Sequence, residues 1–431
     1  MASPNPDIEY LKSLQAVRER SRIVFKAAND GKLNNFDYHP DKFAACADLV
    51  ESVIRRDFGP DRFEQIPRHG RWQHFNVGGV DRVESLLQQW RNEKADDVEI
   101  VRRLVDLFFV SVLLDAGAGD VWKYQEAGGA SYGRSEGIAV ASLYMFKAAA
   151  FGQQDGTPIV DGQGLKGLTT ATFNEFFQIS DENPIIGADS RVGLLNKLGS
   201  SLLDLPDIFG PTGRPGCLAD HLLKNAGEGA KSLDYEVLWQ ALQEVLLPSW
   251  PANRTRIDDV PIGDAWPLEV HKQQASGEIT STNIIQPFHK LTQWLGYSLT
   301  LPFVNVLGLA WDNEGLGTGL PEYRNGGLFV DTGVLSLKES INKQGLEASG
   351  KPLPLYSATS DTMVEWRAMT VVLLDELHGE LKKRFAKDGV VLSLAQMLEA
   401  GSWKTGRELA AKYRPETCSS PILIAGDGTL F

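Results

Sequence analysis

Residues 360–385 read SDTMVEWRAMTVVLLDELHGELKKRF, and this stretch decides the class of fold. Ser360 or Asp361 can cap a helix here, because a short oxygen-bearing side chain satisfies the free N–H groups of a first turn. From Met363 to Leu377 the residues are so apolar that the helix must be nearly engulfed by others, which points to a core built by packing helices. Glu365 and Arg367 nonetheless sit in its early turns. A buried charge is costly unless it is paired or wetted, and two residues two apart diverge by about 200° around a helix. Each therefore needs a partner elsewhere. Either Glu365 complements the helix dipole and Arg367 ties a neighbouring loop, or at least one of them faces a ligand.

The same conflict recurs outward from this segment. In QPFHKLTQWLGYSLTLPF (286–303), His289 and Gln293 are four apart on one helical face, with Lys290 beside it, while Leu291, Trp294, Leu295 and Leu299 supply core. His289 is either a core histidine bonded to a carbonyl or part of a donor face for phosphate or ribose oxygens. In GLPEYRNGGLFVDTGVLSL (319–337), Glu322, Arg324 and Asp331 stand between apolar runs. The helix of DVEIVRRLVDLFFVSVLLDAGAG (97–119) is apolar all round and stops at the Gly117/Gly119 pair. It leaves Asp115 at the negative end of its dipole, where a carboxylate needs a partner. Ser135 is expected to cap the next helix, with Arg134 and Glu136 around it. RWQHFNVGGVDR (71–82) adds His74, Asn76 and Arg82, and its Gly78-Gly79 pair reads as a tight turn.

The periodicity elsewhere is also helical. Ile8, Leu11, Leu14 and Val17 mark one amphipathic face, Asp81 with Glu84 opens another helix, and helices are predicted over 134–151, 190–203, 234–247, 286–301, 360–386 and 394–412. Strand signals are thin; the closing SPILIAGDGTLF suggests a short strand or hairpin around Gly426 and Gly428. The 431 residues suit one large domain, or two lobes, 1–160 and 161–431, with a cleft between them.

The formal charge is -13, which argues against a surface for DNA or RNA but leaves room for a local cationic pocket. Cys46, Cys217 and Cys418 are far apart, so neither a disulfide framework nor a zinc site is expected, and no cofactor is implied. No signal-like or membrane-spanning run is present, and a cytoplasmic or nuclear protein is expected.

Taken together, RWQHFNVGGVDR, GRSEGIAVASLYMF, QPFHKLTQWLGYSL, GLPEYRNGGLFVDTGVL, VEWRAMTVVLLDEL and GDGTLF resemble the uracil catabolism protein 4 family over nearly the whole chain. That resemblance implies a pathway in which uracil becomes a nucleotide, its ring is opened and urea is released. A more distant resemblance is to the queuosine 5′-phosphate N-glycosylase family, helical enzymes akin to helix-hairpin-helix DNA glycosylases. Its Phe-Tyr-Lys-x-x-Gln helix is similar to Phe288, His289, Lys290 and Gln293, its Asp-Tyr-Arg motif to Glu322, Tyr323 and Arg324, and its Glu-x-Arg to Glu365 and Arg367.

These resemblances imply a mainly α, multi-helix globular fold with minor short strands, and an N-ribosylhydrolase without a metal. Its substrate would be a small uracil-derived, ring-opened ribonucleotide 5′-phosphate. Glu322, one methylene longer than the family's Asp, would be the catalytic carboxylate, with Asp331 second. His289, Lys290, Gln293, Tyr323, Arg324, Glu365, Arg367, Arg134, Glu136, Asp115 and Trp122 would bind substrate, with Lys290, Arg324 and Arg367 as candidates at its phosphate and Trp122 or Trp366 against its leaving group. The rival readings are a helical adaptor or regulator of the pathway and a uracil phosphoribosyltransferase; GGLFVDTGVL faintly resembles a phosphoribosyl pyrophosphate loop but carries one acid where two are usual.

Overall fold

The structure is a computed structural model and describes residues 5–115, 121–153, 156–251 and 254–426. The Gly117/Gly119 pair and the turn expected at Gly428 lie outside the described residues. The protein is 60% helical, and its strands are short and paired in twos, so helix packing makes the core. Seven helices form or brace the candidate site: α1 (Leu14–Asn29), α2 (Asp97–Leu113), α3 (Arg134–Lys147), α4 (Lys290–Leu307), α5 (Tyr323–Asp331), α6 (Asp361–Ala386) and α7 (Lys404–Tyr413).

Three of these are engulfed, as their apolar sequences require. Every residue of α6 from Thr362 to Leu374, of α4 from Lys290 to Phe303, and of α2 from Leu104 to Leu113 is buried. Helix α4 packs along α2, α6 along α1, and α5 lies against α7. The last contact is close because Gly406 has no side chain; a Cβ there would collide with the Arg324 carbonyl. One hydrophobic cluster runs from Leu14 to Ile422, so residues 1–160 and 161–431 share it. A satellite cluster of Ile8, Leu11, Ile257, Ile262, Ala265 and Ile285 joins the start of the chain to the hairpin-like loops before α4.

Capping fixes the element ends. Ser360 caps α6 through Met363 N, and Asp81 caps its helix through Glu84 N. The first amphipathic face is split between two helices, because Ser13 caps a new one by accepting from Ala16 N; Ile8, Leu11, Leu14 and Val17 are all buried regardless. Ser135 does not cap α3, whose N-cap is Gly133 and whose first residue, Arg134, has φ +53°. The predicted helix over 286–301 starts late, at Lys290: residues 285–287 are instead a strand paired with 265–267, and His289 takes φ +48°. The C-terminal strand Leu423–Ala425 pairs in parallel with Leu355–Ser357.

Glu365 resolves its conflict structurally. One carboxylate oxygen accepts from the backbone N–H of Asn35 (2.8 Å) and Phe36 (3.0 Å), the other from Asn34 N–H (2.9 Å) and the Asn35 side chain (3.3 Å). It ties the 34–36 segment to α6 and faces no open space, which corrects its expected place in a ligand site. Burial raises its pKa to about 6 against the pull of those donors. Replacing it by an isosteric amide sets an NH2 group against backbone donors. Glu365→Gln is expected to destabilise the fold by about 1–3 kcal/mol, read from urea unfolding midpoints at neutral pH.

Candidate active site

The start of α4 is held by an ion pair inside the core. Arg367, 1% exposed, makes two parallel hydrogen bonds to Asp264, at 2.8 and 2.6 Å, and lies over the Phe288 ring at 4.0 Å. The same carboxylate accepts from Trp266 Nε1 (2.8 Å) and from the backbone N–H of Lys290 (3.0 Å). Burial alone would raise the Asp264 pKa, but Arg367 and these donors push it well below the usual carboxylate range. His289 meets the Leu11 carbonyl through Nε2 (2.8 Å), and Gln293 bonds Phe288 O and Thr318. All of this machinery delivers one free group, Lys290. Its ammonium makes no hydrogen bond or ion pair with any described residue, and burial lowers its pKa against the attraction of Glu322 and Asp115.

Glu322 approaches that ammonium from the next helix. It is the N-cap of α5, where its two carboxylate oxygens accept from the backbone N–H groups of Arg324 (2.8 Å) and Asn325 (2.6 Å). The helix N-terminus therefore stabilises the anion. Burial still raises its pKa above the ordinary value, with those N–H groups and Lys290 pulling the other way. The preceding turn is fixed by Asn325, which donates to Leu320 O (3.1 Å) and accepts from Ser402 (2.8 Å). Tyr323 lies beneath the Arg324 guanidinium at 4.9 Å, and burial raises its phenol pKa.

A third group comes from α2 and α3. Asp115 finds the partner its position demands in Arg71 (2.6 Å), a fully buried guanidinium that also bonds Ser111 Oγ (2.8 Å) and Ser111 O (3.1 Å). Glu136 pairs with Arg407 on α7. Burial would raise the Glu136 pKa, but His74 and Arg407 outweigh it. Arg134 and Arg324 both reach the segment after α7: Arg134 bonds Thr417 O (2.8 Å) and Cys418 O (3.2 Å), and Arg324 bonds Cys418 O (2.8 Å). Among the described residues, Arg71 pairs with Asp115 and Arg407 with Glu136, while Lys290 and Arg324 both stand beside the single carboxylate Glu322. In a protein of net charge -13, this local excess suits an anionic ligand.

Beside the charges lies an aromatic wall. His69 is 4.7 Å from Trp294 and 6.2 Å from Trp403, and His74 is 5.3 and 5.5 Å from the same rings. His69 Nδ1 is held by Glu399 at 2.5 Å. Among the described residues, His74 Nδ1 and Trp294 Nε1 are buried without a hydrogen-bond partner. A buried polar atom left unmatched costs about 1–3 kcal/mol, so each weakens the fold. Burial and Arg71 lower the His74 pKa against the pull of Glu136, Glu399 and Asp115.

Of the residues singled out from sequence, Glu322, Tyr323, Arg324, Lys290, Asp115, Arg134 and Glu136 come together. Asp331 does not. It ends the nine-residue helix that Glu322 begins, about 13 Å away at 1.5 Å per residue, and forms a bidentate pair with Arg414 at 2.8 and 2.5 Å. Arg367, His289 and Gln293 hold the site from behind, through Asp264, the Leu11 carbonyl and Thr318. Trp122 is 1% exposed, donates to Phe177 O (2.8 Å) and stacks on that ring, so it belongs to the core. Sequence reading missed Arg71, Asp264, His69, Trp403 and Arg407; only Asp115, as a carboxylate at a helix C-terminus, signalled that an arginine must be near. Among the described residues no group of three or more His, Cys, Asp or Glu side chains is placed to hold a metal ion.

An unpaired buried lysine weakens the fold, and its linkage to pH has a definite sign. Because the folded pKa lies below the ordinary 10.5, the cost is fully present below the folded pKa and fades as pH rises towards 10.5. Lys290→Met is expected to be more stable than the parent at neutral pH by about 0.5–2 kcal/mol. In chemical denaturation at a series of pH values, this gap narrows under alkaline conditions.

The comparisons with known proteins cover the whole of this geometry. A family model described as a protein of unknown function (DUF1688) matches residues 10–431. The uracil catabolism protein 4 of Lachancea kluyveri is 45% identical over 445 aligned residues, covering 100% of both chains. The protein urg3 of Schizosaccharomyces pombe is 46% identical over 426 residues, 98% of this chain and 99% of that one. With a profile and full-length relatives agreeing from end to end, the chain belongs to the DUF1688 family, of which uracil catabolism protein 4 is a relative by sequence.

Proposed function

We propose that this protein acts in uracil catabolism as an N-ribosylhydrolase on a ring-opened, uracil-derived ribonucleotide 5′-phosphate. The names of its relatives supply the pathway. The observation that carries the chemistry is the opposition of Glu322, an anion fixed by a helix N-terminus, to Lys290, a buried ammonium with no partner among the described residues.

Breaking the bond between C1′ and the ureido nitrogen builds positive charge on the ribose, as in other glycoside hydrolyses. Glu322 is suited to lie against that charge and to orient the attacking water. Its raised pKa also lets it take the proton the water loses. Water adds its oxygen to C1′, the C1′–N electron pair leaves with nitrogen, and that nitrogen gains a proton, giving ribose 5-phosphate and urea or a ureido compound. Lys290 and Arg324 supply donors for the phosphate. Asp115 and Arg71 brace the opposite wall.

Purified protein incubated with ribosylurea 5′-phosphate is expected to release urea and ribose 5-phosphate in equal amounts; no release by the parent protein overturns the reading. Glu322→Gln is expected to lower kcat by about 10²–10³, whereas Asp331→Asn leaves it essentially unchanged. Lys290→Ala is expected to weaken ribose 5-phosphate binding by about 10–100-fold. The acid limb of kcat should fall above pH 4.5, since the carboxylate must be ionised and its pKa is raised.

A further inference from the structure

The ring of His69, Trp294, His74 and Trp403 is more than core packing. Three ties fix it against the charged cluster. Trp294 is one helical turn beyond Lys290 on α4 and so shares its face. Arg407 lies over the Trp403 ring at 4.7 Å while pairing with Glu136. His74 lies within reach of the charges of Asp115 and Glu136. Two polar atoms in this ring, His74 Nδ1 and Trp294 Nε1, lack partners among the described residues although His74 is only 4% and Trp294 only 7% exposed.

The chemistry of the wall selects its ligand. Aromatic faces favour a planar group. Trp294 Nε1 can only donate, and so wants a carbonyl oxygen; the imidazole of His74 can donate or accept. The nearby cation, Arg407, is already matched by Glu136, and Glu399 is matched by His69, so this side offers nothing to a second anion. We propose that these four rings form the leaving-group subsite, and that it recognises a planar, uncharged amide or ureide carbonyl through Trp294 Nε1 and His74. This rests on the hydrolase reading for its position, because the subsite lies beside the carboxylate and ammonium assigned to the ribose and phosphate.

Isothermal titration of the full chain tests it with three probes: ribose 5-phosphate, ribosylurea 5′-phosphate and uridine 5′-monophosphate. The parent protein is expected to bind at least one of the latter two about tenfold or more tightly than ribose 5-phosphate. Trp294→Phe keeps the ring and deletes only the N–H, and His74→Phe keeps an aromatic ring of similar breadth. Both are expected to erase most of that preference while leaving ribose 5-phosphate affinity within about twofold. If the parent shows no preference, or if both folded variants retain it, or if affinity for all three probes falls together, the subsite is wrong. Turnover is read separately. Preference without urea release keeps the subsite and removes the hydrolase; urea release with undiminished preference in both variants does the reverse.

Discussion

The pair between Arg367 and Asp264 is the constraint on which the rest depends. Two opposite charges buried together gain little over apolar residues of the same size, and losing one partner is severe. What the pair provides here is position. Asp264 directs its remaining acceptor capacity to Trp266 and to the first N–H of α4, so one carboxylate sets where that helix begins. The left-handed turn at His289 is a consequence, since the chain must leave the 285–287 strand and enter a helix within two residues. The imidazole of that turn is then fastened to the Leu11 carbonyl, drawing the first helical segment into the same arrangement.

On this scaffold two ionisable groups are treated in opposite ways. Glu322 is given two backbone donors and a helix dipole, which offset much of the cost of burying it. Lys290 is given none, although protein groups on every side are hydrogen-bonded with care. An interior that satisfies Glu365 with four donors and Arg71 with three acceptors could have satisfied one ammonium. On the proposed reading, leaving it open suits a ligand that brings its own oxygens, and Arg324 beside it favours an anionic one.

Much of this was legible in the sequence, for physical reasons. Charged residues inside apolar helices must have partners, so Glu365, Arg367 and Asp115 announced themselves as anchored groups. What periodicity could not say is who the partners are. Asp264 lies 103 positions from Arg367 in a loop of ordinary composition, and Arg71 is 44 positions from Asp115. For the same reason the helix of Glu322 and Asp331 misled: proximity in sequence placed both carboxylates in one site, but a helix of nine residues holds its ends apart. His289 and Gln293 were read as one face of a helix that in fact starts after His289. Trp294 and Trp403 gave no signal, since an aromatic at helical spacing looks the same whether it fills core or lines a wall.

The carbonyls of Thr417 and Cys418 hold Arg134 and Arg324, and Arg414 secures that same stretch through Ser419 and Asp331. A nascent polypeptide lacks these carbonyl contacts until that stretch is made. Residues 414–419 are synthesised long after Arg134, so the carbonyls that hold the two arginines arrive late, and a chain nicked ahead of that stretch would lose these contacts.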